Sequence, residues 1–159
     1  MNEKDKSIPD IRKEAANYKF RIKSRVKFSE VDSFNVVHNL QYFYWLEWAR
    51  LEYIRALGIE FEPNIFISKY MFTSVHAEID YFNAARFDDE YEVLAQIVQV
   101  KNSSATFRNI IMLTDGTILV KASAVLVHLN SKTQEAERIP DDLRKKLADY
   151  EGSNVEFLD

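Results

Sequence analysis

The chain has 159 residues, a formal net charge of −4, 47% hydrophobic and 29% charged residues, a balance that suits one folded domain and excludes disorder. With no cysteine it can form neither disulfides nor thiolate metal sites, and it has no cysteine nucleophile. The net negative charge argues against a general nucleic-acid binder, no run of about 18 apolar residues is present to span a membrane, and the charged start MNEKDKSIPDIRKE lacks the apolar stretch of a secretory signal, so a cytoplasmic protein is expected.

Residues 1–18 are polar and of mixed charge, and read as a flexible or loosely docked extension to a single domain over residues 19–150, with a tail at 151–159. Arg21 to Phe28 alternates basic and apolar residues and predicts a strand. A turn-rich connection follows from Ser29 to Asn39. From Leu40 to Leu57 there is neither Gly nor Pro, and Gly58 follows as a C-terminal stop, so a helix is predicted. Asn39 or its neighbour His38 would cap its start. At ~100° per residue, Gln41, Trp48, Glu52 and Arg55 gather on one side, with Phe43, Leu46, Ile54 and Leu57 opposite. Glu47 and Arg50, three apart on the apolar side, have the spacing of an ion pair. A helix this apolar should be wrapped by a sheet or sit at an interface.

Phe72 to Tyr81 alternates cleanly, with Val75, Ala77, Ile79 and Tyr81 on one face, and predicts a half-buried strand. Three further strands are predicted at about 90–101, 104–113 and 117–130. Asp115-Gly116 reads as a two-residue hairpin that pairs Leu113 with Ile118, Ile111 with Val120 and Phe107 with Ala124 on one core face. A second two-residue turn at Asn102-Ser103 would bring Leu94 and Val98 onto that face and leave Arg108, Lys121 and Ser123 together on the other. Pro140 to Tyr150 predicts a short helix. One long helix followed by antiparallel strands gives an α+β class, with an antiparallel sheet curled around a central helix. The remaining sheet face or edge is available for self-association.

The three histidines, His38, His76 and His128, are too scattered for a spacing-defined zinc site, so no metal is expected. His76 reads as a solvated or interfacial residue and His128 as a structural one. Ser74, His76 and Asp80 are aligned along one strand by alternation and do not form a triad.

The stretch FSEVDSFNVVHNLQYFYWLEWARLEYIRALGI, Phe28 to Ile59, resembles the opening of the acyl-CoA thioesterases of the 4-hydroxybenzoyl-CoA thioesterase type, and is similar to the related Tol-Pal-associated thioesterases. The matching positions are Asp32, Val36, Val37, Asn39, Tyr42, Glu47, Ala49, Arg50 and Gly58. YFNAARFDDEYEV, Tyr81 to Val93, resembles the family's second shared stretch, and the likeness runs over roughly residues 20–130. Where the family often carries glycine three residues after the aspartate and histidine seven after it, this chain has Asn35 and Asn39. Asn tolerates left-handed backbone angles, so Asn35 can keep the turn.

The resemblance implies a hotdog fold and thioester hydrolysis. A thioester is already activated, so the protein must supply a nucleophile or a general base, and donors for the developing oxyanion. The resemblance gives the first role to Asp32, either attacking the carbonyl or activating water. It gives the second to the backbone amide of Asn39, at the start of the helix, where unpaired N–H groups and the positive end of the dipole lie. His38 and Tyr42 would shape the site, and Glu47 is a further candidate because other hotdog branches carry a carboxylate on this helix. Relatives bind coenzyme A near the turn at 101–104, which implies contacts for Lys101 and Ser103, with Arg108 as added positive charge. No cofactor is expected beyond coenzyme A as part of the substrate. The resemblance also implies a homodimer, with a dimer of dimers as the larger assembly. An acyl-carrier-protein thioesterase is the alternative, with Arg21, Lys23, Arg25 and Lys27 as the basic docking surface. A non-catalytic acyl-CoA-binding or scaffold module is the alternative of another class.

Overall fold

The structure, a computed structural model, describes residues 3–159. In chain order the elements are α1 (Glu3–Ala15), β1 (Phe20–Arg25), α2 (Gln41–Ala56), α3 (Ile65–Ser68), β2 (Phe72–Tyr81), β3 (Glu90–Lys101), β4 (Ser104–Leu113), β5 (Ile118–His128), α4 (Asp141–Glu151) and β6 (Glu156–Leu158). A short 3-10 turn at Phe28–Glu30 precedes α2. The strands form one six-stranded sheet in the order β1-β3-β4-β5-β2, with β6 added parallel to β3. The expected α+β architecture, an antiparallel sheet with one long helix packed on it, is present. The chain divides into two units: one contains the chain up to Glu52 with Ile79–Ala95 and Asn109–Ala122, the other Tyr53–Glu78, Gln96–Arg108 and Ser123–Asp159.

In the first unit, α2 buries Tyr42, Trp45, Leu46 and Ala49, which recur at helical spacing. The Trp45 indole stacks on Tyr91 of β3, with centroids 3.9 Å apart and planes 15° from parallel. Phe43, expected on the buried side, is instead exposed. The helix is apolar nearly all round, so composition alone does not choose which stripe faces the sheet.

The N-terminal segment, which its polarity suggests is a flexible or loosely docked extension, forms a helix that packs on the sheet. Glu3–Ala15 is a helix, acidic in its first turn and basic in its last, as the helix dipole favours. Ile8, Ile11 and Ala15 make a narrow apolar stripe that, with Tyr18, packs on Leu94, Ile110 and Ile118, joined by Phe82 and Met112. Glu14 binds the Lys121 ammonium at 2.6 Å, and Arg21 donates to the Ala15 carbonyl at 2.9 Å. Tyr91 and Leu94 are three residues apart on β3 and so point to opposite faces. The sheet is therefore covered by α2 on one side and by α1 on the other. Lys121, expected on the same face as Arg108, is held by Glu14.

The β4–β5 hairpin differs from the expected two-residue turn. Gly116 N–H donates to the Leu113 carbonyl, and Leu113 N–H donates to the Thr117 carbonyl, both at 2.9 Å. Gly116 sits at φ +92°. This is a three-residue loop, and Leu113 pairs with Thr117, not with Ile118. A one-residue shift moves side chains to the other face. Ile110, Met112 and Ile118 accordingly lie under α1 with Leu94, apart from the Phe107 face to which Leu94 was assigned.

In the second unit, the end of α2 buries Tyr53, whose ring meets Phe107 edge-on at 5.3 Å. Its hydroxyl donates to the buried Glu151 carboxylate at 2.6 Å, and Gln96 donates to the other oxygen at 3.4 Å. Gly58 ends α2 at φ +79°, the left-handed position that favours glycine. His128 is buried between the Glu137 and Lys69 carbonyls, a structural role as expected. The strand β2 is at the sheet edge and is largely exposed, with Val75 58% accessible, so its alternation is not matched by half-burial within this chain.

Candidate active site

The loop between β1 and α2 folds back on itself. Glu30 and His38 face each other, His38 N–H donating to the Glu30 carbonyl at 3.0 Å. Val31 and Val37 form the next bridge, and Asp32 N–H donates to the Val36 carbonyl at 2.9 Å. At the tip, Asn35 N–H donates to the Asp32 carbonyl at 3.0 Å, and Asn35 adopts φ +62°, the left-handed conformation anticipated for it. Asp32 is partly buried. One of its carboxylate oxygens accepts the Phe34 N–H at 2.8 Å, which holds the carboxylate against its own turn. Phe34 itself is 82% exposed.

The return strand of this small hairpin runs directly into α2. The His38 ring accepts the Leu40 N–H at Nδ1, 3.1 Å, and the His38 carbonyl accepts Gln41 N–H at 2.8 Å. His38, and not Asn39, is therefore the residue whose side chain caps the helix. The amides of His38, Leu40 and Gln41 are all engaged, whereas that of Asn39 donates no hydrogen bond among the described residues. Asp32 and this free amide thus come from the two arms of one closed loop.

The segment from Tyr81 to Asp89 braces that loop. Tyr81 donates its hydroxyl proton to the Asn39 carbonyl at 2.8 Å. Ala85, fully buried, accepts Val37 N–H at 2.8 Å and donates its own N–H to the Tyr42 hydroxyl oxygen at 3.2 Å. Asp89 accepts Val26 N–H at 2.9 Å through its carbonyl. Tyr42 is buried and meets both Trp45 and Tyr81 edge-on. Burial pushes its phenol up from the usual tyrosine range, and the Ala85 N–H pulls the other way. Burial likewise raises the Tyr81 phenol. Both hydroxyls stay neutral hydrogen-bonding groups at neutral pH.

Beneath the hairpin lies Glu30, only 8% exposed. Its carboxylate accepts Lys27 N–H at 2.8 Å, the Trp45 indole N–H at 3.1 Å and the Gln41 amide at 3.4 Å. Sequence reading passed over Glu30 and Tyr81. The signal for each was positional, since Glu30 stands two residues before Asp32 and Tyr81 opens the second stretch that resembles the family.

The other candidates are less engaged. Glu47 is exposed on α2 and, among the described residues, forms no contact ion pair with Arg50 or any other cation. Burial lowers the Arg50 guanidinium from its ordinary value, and the Glu47 charge partly offsets this. In the second unit, Lys101 and Arg108 have exposed side chains and no ion pair among the described residues. The Lys101 carbonyl accepts from Arg144 at 3.0 Å, and the Ser103 carbonyl accepts His128 N–H at 2.8 Å, so the 101–104 turn is held from behind. Among the described residues no group of three or more His, Asp or Glu is placed to hold a metal ion.

Of the basic docking strip expected at Arg21, Lys23, Arg25 and Lys27, the two arginines are neutralised, while Lys23 and Lys27 are exposed and form no ion pair among the described residues. Arg21 pairs with Glu92 at 3.3 Å, and Arg25 pairs with Glu90 at 2.5 Å and Asp88 at 3.7 Å.

Residues 26–147 match the family profile described as the thioesterase-like superfamily. The chain is 30% identical over 106 residues to the acyl-CoA thioesterase YbgC of Haemophilus influenzae, which covers 64% of this chain and 78% of that protein. Among solved structures it resembles a 1,4-dihydroxy-2-naphthoyl-CoA thioesterase from Synechocystis, with TM-score 0.75, 19% identity, and coverage of 82% and 96% of the two chains. A thioesterase from Thermus thermophilus complexed with coenzyme A and zinc gives TM-score 0.74, 22% identity, and coverage of 86% and 97%. With the matched region spanning the Asp32 hairpin, α2 and the segment that braces them, this chain belongs to the thioesterase-like superfamily and has its hotdog fold.

Proposed function

We propose that the protein is an acyl-CoA thioesterase that hydrolyses its substrate to a free acid and coenzyme A with the Asp32 carboxylate. The observation that carries this reading is the Asp32 hairpin, which leads into a helix start where the Asn39 amide is free. A thioester carbonyl whose oxygen accepts the Asn39 N–H is polarised as negative charge develops on it, and one such donor contributes about 3 kcal/mol to the transition state. Asp32 then acts in one of two ways. It attacks the carbonyl carbon, forms a mixed anhydride and expels the thiolate, after which water hydrolyses the anhydride. Alternatively it takes a proton from water as the water attacks. Either route consumes one water and returns the thiol and the acid.

Lys101, Ser103 and Arg108 are assigned to the phosphates of the coenzyme A arm, and His38, Tyr42 and Glu47 to the surroundings of the acyl group. The exposed edge strand β2 supports a homodimer formed by strand addition, with a dimer of dimers as the larger form. Residues 19–150 are taken as the catalytic domain, working in the cytoplasm on soluble acyl-CoA. Coenzyme A is favoured over a carrier protein because the β1 arginines already pair with Glu90, Glu92 and Asp88.

The test is thiol release from a series of acyl-CoA substrates, aliphatic and aromatic, by wild-type protein and by Asp32→Asn. Turnover that falls at least 100-fold in the variant supports the proposal. Absence of turnover on every substrate overturns it, and tight acyl-CoA binding without turnover would assign a non-catalytic module. Faster cleavage of the same acyl group from carrier protein would assign the carrier-protein alternative.

A further inference from the structure

We infer that Glu30 is a positioning residue for the Asp32 site, an inference that rests on the hydrolytic reading above. A carboxylate this deeply buried is tolerated only when its oxygens are hydrogen-bonded, and Glu30 meets that condition with donors from two separate parts of the site. Oε2 takes the Lys27 N–H at 2.8 Å, on the chain entering the hairpin. Oε1 takes the Trp45 indole N–H at 3.1 Å and the Gln41 side-chain amide at 3.4 Å, one turn apart on α2. The Glu30 carbonyl accepts His38 N–H at 3.0 Å and so closes the base of the hairpin.

Glu30 stands next to both arms of the hairpin at its base. Asp32 lies two residues beyond Glu30 on one arm, and Asn39 lies one residue beyond its partner His38 on the other. The hairpin's own backbone bonds define its shape. Its angle to α2 is set from below by the Glu30 side chain, which ties it to the first two turns of the helix. The indole ring of Trp45 is itself fixed by stacking on Tyr91, so the anchor is attached to the sheet. Asp32 is only partly buried, and among the described residues the Phe34 N–H is the one donor to its carboxylate, so it has little else to hold its placement. Glu30 has no route to the reacting atoms; it acts through Asp32 and the amide.

The experiment compares Glu30→Ala, Glu30→Gln and Trp45→Phe with wild type in kcat and KM for the best acyl-CoA substrate. Each is also combined with Asp32→Asn. Glu30→Ala is expected to lower kcat by about 10- to 100-fold with KM changed by less than about threefold, the cost of a small misplacement of reacting groups. Glu30→Gln keeps an acceptor for Trp45 and is expected to recover most of kcat. Trp45→Phe keeps the ring and removes one donor, and is expected to lower kcat by a few-fold; it provides the measurement if Glu30→Ala does not fold. In the Asp32→Asn background the Glu30 substitutions are expected to cost nothing further, because a residue acting through Asp32 has nothing left to position. If Asp32→Asn abolishes turnover while Glu30→Gln and Trp45→Phe leave kcat unchanged, or if the losses simply multiply, Glu30 is structural only and the inference fails. If wild type turns over no acyl-CoA, or Asp32→Asn is fully active, the hydrolytic reading fails instead.

Discussion

The Tyr81 hydroxyl donates a 2.8 Å hydrogen bond to the Asn39 carbonyl, reaching from the end of β2 to the chain just before α2. It restrains a residue at the helix start whose N–H donates no hydrogen bond among the described residues. Replacing Tyr81 by Phe keeps the ring against Tyr42 and removes the tether. A loss of about 0.5–1.5 kcal/mol in stability is expected from the missing bond, with a several-fold fall in kcat for acyl-CoA. Thermal denaturation and steady-state kinetics on the same preparation check both.

The Asn39 side chain and its backbone should behave differently. Asn39→Ala retains the amide and is expected to keep turnover within about threefold of wild type. Asn39→Pro removes the N–H at a place near a helix start where proline's backbone is tolerated. It is expected to lower kcat by about 100-fold or more, in line with loss of one oxyanion donor. Equal activity of the two variants would remove the amide from the mechanism.

The docking of α1 makes a prediction about stability alone. Ile11 is buried against the Leu94, Ile110 and Ile118 surface. Ile11→Ala is expected to cost about 2–4 kcal/mol and to lower the melting temperature by several degrees. Turnover at low temperature should be unaffected, because α1 covers the sheet face opposite α2. Chemical denaturation beside an activity assay at 15 °C separates the two effects.

The buried tyrosines set the alkaline limit of the fold. Burial pushes the Tyr91 phenol up to about 12, with the Ser24 hydrogen bond opposing. Burial and the bond to Glu151 push Tyr53 higher still. A folded-state value above the unfolded value of about 10 means that the neutral phenol is favoured in the native state. The stabilisation is complete below pH 10 and declines as the pH rises past that value toward 12. Phenolate absorbance should show these two groups ionising late, together with loss of native structure. Tyr53→Phe, which strands the Glu151 carboxylate without its closest donor, is expected to cost about 1–3 kcal/mol at neutral pH.

The order of β1, α2, β2 to β5 and α4, the class of fold, the Asp32 segment and the left-handed Asn35 could all be read from the amino-acid sequence, because they depend on local rules. Alternation marks strands, the absence of Gly and Pro marks a helix, and the spacing from Asp32 to Arg50 carries the family likeness. What needed the tertiary structure was everything decided by a partner distant along the chain. The nearly uniform apolarity of α2 left its buried stripe open until Tyr91 met Trp45. The polar stretch before β1 became a docked helix because three spaced apolar side chains found a second apolar sheet face. That face was itself hidden by a hairpin whose third loop residue, Gly116, shifts the register by one. The sequence marks Glu30 and Tyr81 only by position and leaves their partners hidden for the same physical reason: a hydrogen bond is made by position in space, and residues 15 or 42 places apart carry no local trace of meeting.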